Sequence, residues 1–293
     1  MPASTNSRIS GRNVIIAGLP RSGTTLVCHL LNEVPDVVAL NEPMIVGTFF
    51  NLDIEQVMNG IGAFFDECRA SIINQSLAPS KVVDGRVPDN PFLKERDADG
   101  ARIRQVALGR LRIDRPLTSD FILAMKHPAM FTSLLVPLCA RFPCWVVIRN
   151  PLATLLSWDS LPDTPMGSGR FPAAEAFDSR LKAALDAMPD RLDRHVYFLE
   201  WAFGRYLQVG SRLGVLAYED IIASNGRALS AISQQAYGLN ADLRNENLNV
   251  VYRRDAVEPI ARALLARNGS WKQWYPDDAI EQLAEALLAG HGR

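Results

Sequence analysis

Hydrophobic positions along the chain fall into two alternating kinds of run. Near-continuous apolar stretches of five residues occur at 13–17, 36–40, 121–125 and 144–148, and a further strand-like run covers 214–220. Apolarity without alternation over that length predicts strands buried on both faces of a parallel sheet. Between them, apolar residues recur at helical spacing over 26–31, 54–73, 130–141, 152–158, 173–188 and 190–209. The last of these carries Phe198, Trp201, Phe203 and Tyr206 among polar positions, which predicts an aromatic stripe turned to the core. The C-terminal seventy residues read as mostly helical. Strands alternating with helices predict an α/β fold with a central parallel sheet and helices on both faces, three layers in all.

The exceptions to this rhythm are local. A short strand is expected at 81–84, a polar stretch runs from 86 to 100, and residues 159–172, rich in Pro, Gly and Ser, read as a loop. The expected organisation is a single domain over 1–293, with 44–120 and 159–213 as insertions serving acceptor recognition and as a lid. Long excursions between core strands often carry specificity.

The ends of the apolar runs hold the candidate chemistry. The first breaks at Gly18 into Leu19-Pro20-Arg21-Ser22-Gly23-Thr24-Thr25 and passes directly into a helical pattern. Backbone N–H groups at such a helix start attract an anion. Gly18, Gly23 and Thr25 stand at the spacing of a nucleotide-phosphate loop, but Thr24 occupies the place of its lysine and the nearby charge is Arg21. A loop of this kind suits one phosphate with an attached anionic group, and no partner motif for Mg²⁺ accompanies it. The other runs end in Asn41-Glu42-Pro43, in Lys126-His127-Pro128 and in Arg149-Asn150-Pro151, while Tyr218 closes the last. Ligands of open parallel sheets bind beyond the carboxyl ends of the strands, so Arg21, Lys126, Arg149 and Tyr218 are expected to converge there. Asn150 and Pro151 suit the N-cap and first position of a helix, and Ser157 lies two turns into it, within reach of a phosphate held by Arg149.

Composition limits the alternatives. With 293 residues, 48% apolar and 22% charged, the chain can bury a large core, and a net charge of −1 does not suit a general nucleic-acid or membrane-surface binder. The first dozen residues are polar and no apolar run approaches a membrane span, so a soluble cytoplasmic protein is expected. Cys28, Cys68, Cys139 and Cys144 form no C-x-x-C pair and are expected to be reduced core thiols. His29 is expected to be a packing residue, and His195 and His291 have no evident partners; no metal-ligand set is expected.

The segment Pro20-Arg21-Ser22-Gly23-Thr24-Thr25-Leu26 resembles the 5′-phosphosulfate loop of sulfotransferases that use 3′-phosphoadenylyl sulfate (PAPS), nearest to their carbohydrate, tyrosylprotein and bacterial branches. Phe142 through Pro151, followed by Ser157, is similar to the 3′-phosphate segment of that family, with Asn150 where an Asp is usual. Tyr218-Glu219-Asp220 resembles a further family segment, and Asn268-Gly269-Ser270-Trp271-Lys272 resembles its late nucleotide-contact region more loosely. The resemblance implies a P-loop type fold and PAPS as donor, with adenosine 3′,5′-bisphosphate (PAP) as product and no metal. It implies cofactor contacts from Arg21, Ser22, Gly23, Thr24, Thr25, Arg149, Ser157, Tyr218 and Ser270. Glu42, twenty-one residues after Arg21, corresponds in spacing to a catalytic glutamate, with His127 as the competing base and Arg21 and Lys126 as transition-state stabilisers. The acceptor would be a hydroxyl or amine of a small molecule or carbohydrate. A P-loop small-molecule kinase and a non-catalytic nucleotide-binding protein are the alternatives.

Overall fold

The computed structural model describes residues 12–97 and 102–290. In chain order the elements are β1 (Asn13–Gly18), α1 (Thr24–Leu31), β2 (Val37–Asn41), α2 (Ile54–Gln75), β3 (Leu77–Val82), β4 (Phe92–Arg96), β5 (Arg102–Arg104), β6 (Ala107–Arg112), β7 (Ile122–Lys126), α3 (Pro128–Ser133) and α4 (Leu135–Cys139). There follow β8 (Cys144–Ile148), α5 (Pro151–Asp159), α6 (Pro172–Glu175), α7 (Ser179–Ala187), α8 (Arg191–Val209), β9 (Leu213–Ala217), α9 (Tyr218–Ala223), α10 (Arg254–Leu265) and α11 (Asp277–Gly290). His291 lies outside the described residues.

Five strands form one sheet in the order β2-β7-β1-β8-β9, and every neighbouring pair is parallel. All six residues of β1 are buried, odd and even positions alike, so both faces of the central strand are covered. The chain is thus α/β with a parallel central sheet. Its register brings the strand ends level: Lys126 lies opposite Ile16 on one side and Asn41 on the other, and Gly18 lies opposite Val147. One hydrophobic cluster runs from Val14 to Leu287 and includes the expected stripe residues Phe198, Phe203 and Tyr206. Among the described residues no helix is long and apolar enough to cross a membrane. The four cysteines are free thiols, three of them buried.

Several expected elements end elsewhere, each for a local reason. The helix expected over 130–141 is two short helices, because Pro137 has no N–H to offer the carbonyl of Ser133. That carbonyl accepts instead from Arg205 Nη1 at 3.0 Å. The helix expected over 173–188 breaks at Asp178, whose carboxylate caps α7 through the N–H groups of Arg180 (3.0 Å) and Leu181 (2.9 Å). The last strand stops at Ala217, and Tyr218, Glu219 and Asp220 open a helix, where two carboxylates in the first turn suit the helix dipole. Residues 224–253 are short 3₁₀ helices and connecting segments, so among the described residues of the C-terminal region α-helix is confined to α10 and α11. The strand expected at 81–84 starts earlier, at Leu77, and pairs antiparallel with β6, outside the main sheet.

Gly18 is where the sheet becomes a loop. Its φ is +142°, and a Cβ there would stand 2.6 Å from the Val147 carbonyl oxygen, a backbone atom with no room to retreat. Gly18→Ala is therefore expected to cost about 2–3 kcal/mol, read as a lowered unfolding midpoint in urea. An unchanged midpoint would show that the loop can leave β8 without penalty.

Candidate functional site

The loop after β1 is built to leave its backbone donors open. Gly23, with φ +95°, stands at the N-cap of α1 and no side chain caps the helix, so the first-turn N–H groups of α1 are unblocked. A Cβ at Gly23 would lie 2.7 Å from the Tyr218 ring, which packs against the loop from the end of β9. Gly23, Thr24 and Thr25 line a cavity of about 870 Å³, near the upper end of the ~300–1,000 Å³ usual for small-molecule sites. Ser22 does not face it. Its side chain is fully buried and its Oγ reaches the carbonyls of Leu19 and Val147, each at 2.8 Å, so it ties the loop to β8.

Beside the loop sits a chain of charges. Lys126, 1% exposed at the end of β7, donates to Asn41 Oδ1 (2.8 Å), Glu42 Oε1 (2.9 Å) and Thr25 Oγ1 (3.3 Å). Lys81 of β3 bonds the other oxygen of Glu42. Asn41 fixes that strand in place, because its backbone N–H donates to Ser80 Oγ (2.9 Å) and its side chain to the Lys81 carbonyl (3.1 Å). Burial raises the Glu42 carboxyl, but Lys126 and Lys81, with a smaller contribution from His127, outweigh it and hold the group well below the usual carboxylate range. Glu42 itself adopts φ +46° next to Pro43, which turns the chain sharply off the strand end. His127 Nε2 accepts the Met44 backbone N–H at 3.1 Å, and burial above all pushes the ring down to about 3. Its Nε2 lone pair is therefore engaged, and the ring is neutral near pH 7.

The two arginines are crossed rather than parallel. Arg21 Nε donates to Ser157 Oγ at 3.1 Å, while Arg149 Nη1 donates to the carbonyl of Arg21 at 3.0 Å. Ser157 Oγ thus bonds Arg21, and it lines the same cavity as Arg149. Arg149, 5% exposed, also donates from Nε to Asn247 Oδ1 (2.7 Å) and from Nη2 to Tyr252 Oη (3.1 Å), and its guanidinium lies 4.5 Å from the centre of the Tyr218 ring. Glu219 organises this group by accepting from Asn150 N (3.0 Å), Asn247 Nδ2 (2.8 Å) and Tyr275 Oη (2.7 Å). Asn150 caps α5 through Leu152 N (3.0 Å) and donates to the Ala279 carbonyl (3.0 Å), a second bond that an aspartate could not make. Burial, then Arg102 and Arg149, push Arg21 down to about 9. Among the described residues no ion pair to Arg21 or Arg149 is formed; Glu246 opposes the lowering of Arg21 less than Arg102 and Arg149 drive it, so an anion here would relieve the repulsion between the arginines.

The segment around β4 and β5 roofs the loop. Arg21 Nη1 reaches Asn90 Oδ1 at 3.4 Å, and Phe92 lies between Arg21 (5.1 Å) and Arg102 (5.2 Å). The sequence-predicted residues Arg21, Gly23, Thr24, Thr25, Glu42, Lys126, His127, Arg149, Ser157 and Tyr218 all line the one cavity. Ser270 does not: its Oγ and N–H both bond Glu200 at 2.6 Å, which commits it to packing α8. His29 bonds the Val87 carbonyl (2.9 Å) and His195 the Met166 carbonyl (2.8 Å), so both are structural. Among the described residues no group of His, Cys, Asp or Glu is arranged to hold a metal. Sequence reasoning missed Asn41, Lys81, Asn247 and Tyr252. Only Asn41 gave a signal, as a polar residue directly following an apolar strand.

The double pairing of Glu42 has a measurable consequence. A carboxyl whose folded pKa is depressed stabilises the fold above its unfolded value, ~4.3, and that stability is lost as pH falls toward the folded value. Lys81→Met is therefore expected to weaken the fold at pH 7 by about 0.5–1 kcal/mol and to make the loss below pH ~4.3 shallower, in thermal unfolding followed against pH. Parallel curves for the two proteins would show that Lys81 and Glu42 are not coupled.

No family model and no curated protein matches this chain, which leaves the chemistry of these side chains as the guide to what it does.

Proposed function

We propose that the chain is a sulfotransferase, taking the sulfuryl group from PAPS and delivering it to an acceptor hydroxyl with Glu42 as general base. The observation that carries this is the pairing of an uncapped, lysine-free anion loop bearing Arg21 with a buried arginine, Arg149, neither of them in an ion pair among the described residues. Two cationic grips joined through the Arg21 carbonyl suit a ligand with two separated anionic groups. The strand order, with the loop at the central strand, is compatible with a P-loop type fold.

In the proposed transfer the 5′-phosphosulfate lies on the N–H groups of Gly23, Thr24 and Thr25 with Arg21 beside it, and the 3′-phosphate meets Arg149. The acceptor oxygen attacks sulfur in line as the sulfur–oxygen bond to the phosphate breaks, and the electron pair of that bond leaves on PAP. Glu42 takes the acceptor proton. Lys126 reaches both Thr25 and Glu42, so it can follow charge from the carboxylate toward the leaving phosphate oxygen. As Lys126 turns to the donor, Glu42 loses a counter-charge and becomes a stronger base.

A second reading has one observation in its favour. Lys126 stands next to Thr25 and could supply the cation that the loop lacks, which would suit ATP. Titration calorimetry separates the two, and PAP is expected to bind at least tenfold more tightly than ATP. Equal or tighter ATP binding would overturn the donor assignment. Glu42→Gln is expected to lower kcat by about 10²–10⁴ while PAP affinity stays within about threefold; an unchanged rate removes Glu42 from the chemistry, as expected for a protein that only binds. Arg149→Ala should weaken PAP by about 10–100-fold and adenosine 5′-phosphate by much less, since the second ligand lacks the 3′ group. Equal losses would mean that Arg149 serves the loop alone.

A further inference from the structure

Beneath the largely polar roof formed by residues 89–95 and 102–105, the cavity has two unlike walls. On the β8 and β9 side it is closed by Arg149, Tyr218 and the segment 242–252, charged and polar throughout much of its surface. On the β2 and β7 side, from Glu42 outward, the wall is formed by residues 44–46, 127–130 and 164–173. These segments form one continuous surface. Met44 N–H bonds His127, α3 packs on α6 through Ser133 Oγ and the Ala174 carbonyl (3.0 Å), and Phe171 meets Trp158 at 5.0 Å.

That wall is apolar where it faces the cavity: Met44, Val46, Met130, Met166, Phe171 and Pro172 all line it. Its polar side chains, His127, Thr164 and Arg170, have partners already. His127 Nε2 holds Met44 N–H; Thr164 Oγ1 donates to the Leu161 carbonyl (2.8 Å) and accepts from Gly167 N (3.0 Å); and Arg170 pairs with Glu175 and Asp186. A sugar placed here would bury several hydroxyls against carbon, each without a hydrogen-bond partner. An apolar body lying here would meet Val46, Met166 and Pro172, the less buried of these side chains, with Met44, Met130 and Phe171 packed behind them, and the methionines can adapt to its shape.

We propose that the acceptor is an amphipathic alcohol, aliphatic or phenolic, whose apolar body lies on this wall and whose single hydroxyl points at Glu42, rather than a carbohydrate. The proposal rests on the sulfotransferase reading for its chemistry, but the wall can be tested by binding alone. With PAPS as donor, kcat/KM for straight-chain 1-alkanols from butanol to octanol is expected to rise about fourfold per methylene until the wall is covered. Glucose and N-acetylglucosamine should be sulfated at least a hundredfold less efficiently than octanol. Val46→Ser and Met166→Ser, both at half-buried positions, are each expected to lower kcat/KM for octanol about 5–30-fold with PAP affinity unchanged. In parallel, calorimetry should show saturable octanol binding to the PAP-loaded protein, weakened in the double variant.

A sugar as the better acceptor, or a rate independent of chain length, overturns the proposal and leaves the sulfotransferase reading in place. PAP binding without octanol binding does the same. If PAP does not bind, the sulfotransferase reading falls, and octanol binding to the free protein, sensitive to the two serine substitutions, then decides the wall by itself.

Discussion

A lysine ammonium cannot be buried without partners, and Lys126, 1% exposed, is satisfied by three side chains from two separate chain segments. The end of β2 supplies Asn41 and Glu42, and the start of α1 supplies Thr25. Each of these groups is at the carboxyl edge of the sheet because the parallel register sets Asn41 and Ile16 opposite Lys126. Removing the carboxylate would leave the cation uncompensated in low dielectric, which costs far more than the pair contributes net. The requirement therefore fixes how the strand ends sit, and with them the loop that follows β1.

The arginines obey the opposite logic. Where Lys126 is matched by a carboxylate, Arg21 and Arg149 are held by neutral groups: Ser157 and Asn90 for one, Asn247, Tyr252 and a backbone carbonyl for the other. Hydrogen bonds to neutral acceptors orient a guanidinium without cancelling its charge. The carboxylate of Glu219 is used one step away, on Asn150 and Asn247, and that of Glu246 acts on Arg21 less strongly than Arg102 and Arg149 do. Field is conserved at the cavity while geometry is fixed behind it, the arrangement that favours an anionic ligand arriving from solution.

The strands of the main sheet were legible because burial on both faces leaves an unbroken apolar run, and 144–148 needed no correction. The Asn150-Pro151 helix start was legible because capping depends on two adjacent residues. Breaks that depend on distant partners were not. Nothing near residue 178 announces that Asp178 will be held by Trp201 and Arg205 of α8. The site divided in the same way. Arg21, Lys126, Arg149 and Tyr218 could be placed by strand ends alone, whereas Lys81 comes from the separate β3–β6 pair, whose position relative to Glu42 is set by Asn41. Ser157 lies at the cavity expected for it, but its hydrogen bond to Arg21 was not legible, since spacing along α5 gives its height and not which guanidinium crosses to it.

The polarity of the cavity's two halves also bears on how a transfer there could outrun hydrolysis of the donor. Water reaching an activated sulfate next to Glu42 would compete with any acceptor, and polar walls would keep that water bound. A wall of methionine, proline and phenylalanine offers water few partners, so an apolar acceptor body displaces it at little cost. With water excluded, the attraction between Lys126 and a charge departing on the proposed donor would strengthen, because the same separation would act through a lower dielectric. The occupant that seals the wall would then complete the electrostatics of the loop, and donor and acceptor halves would depend on each other although they share only Glu42 and Lys126.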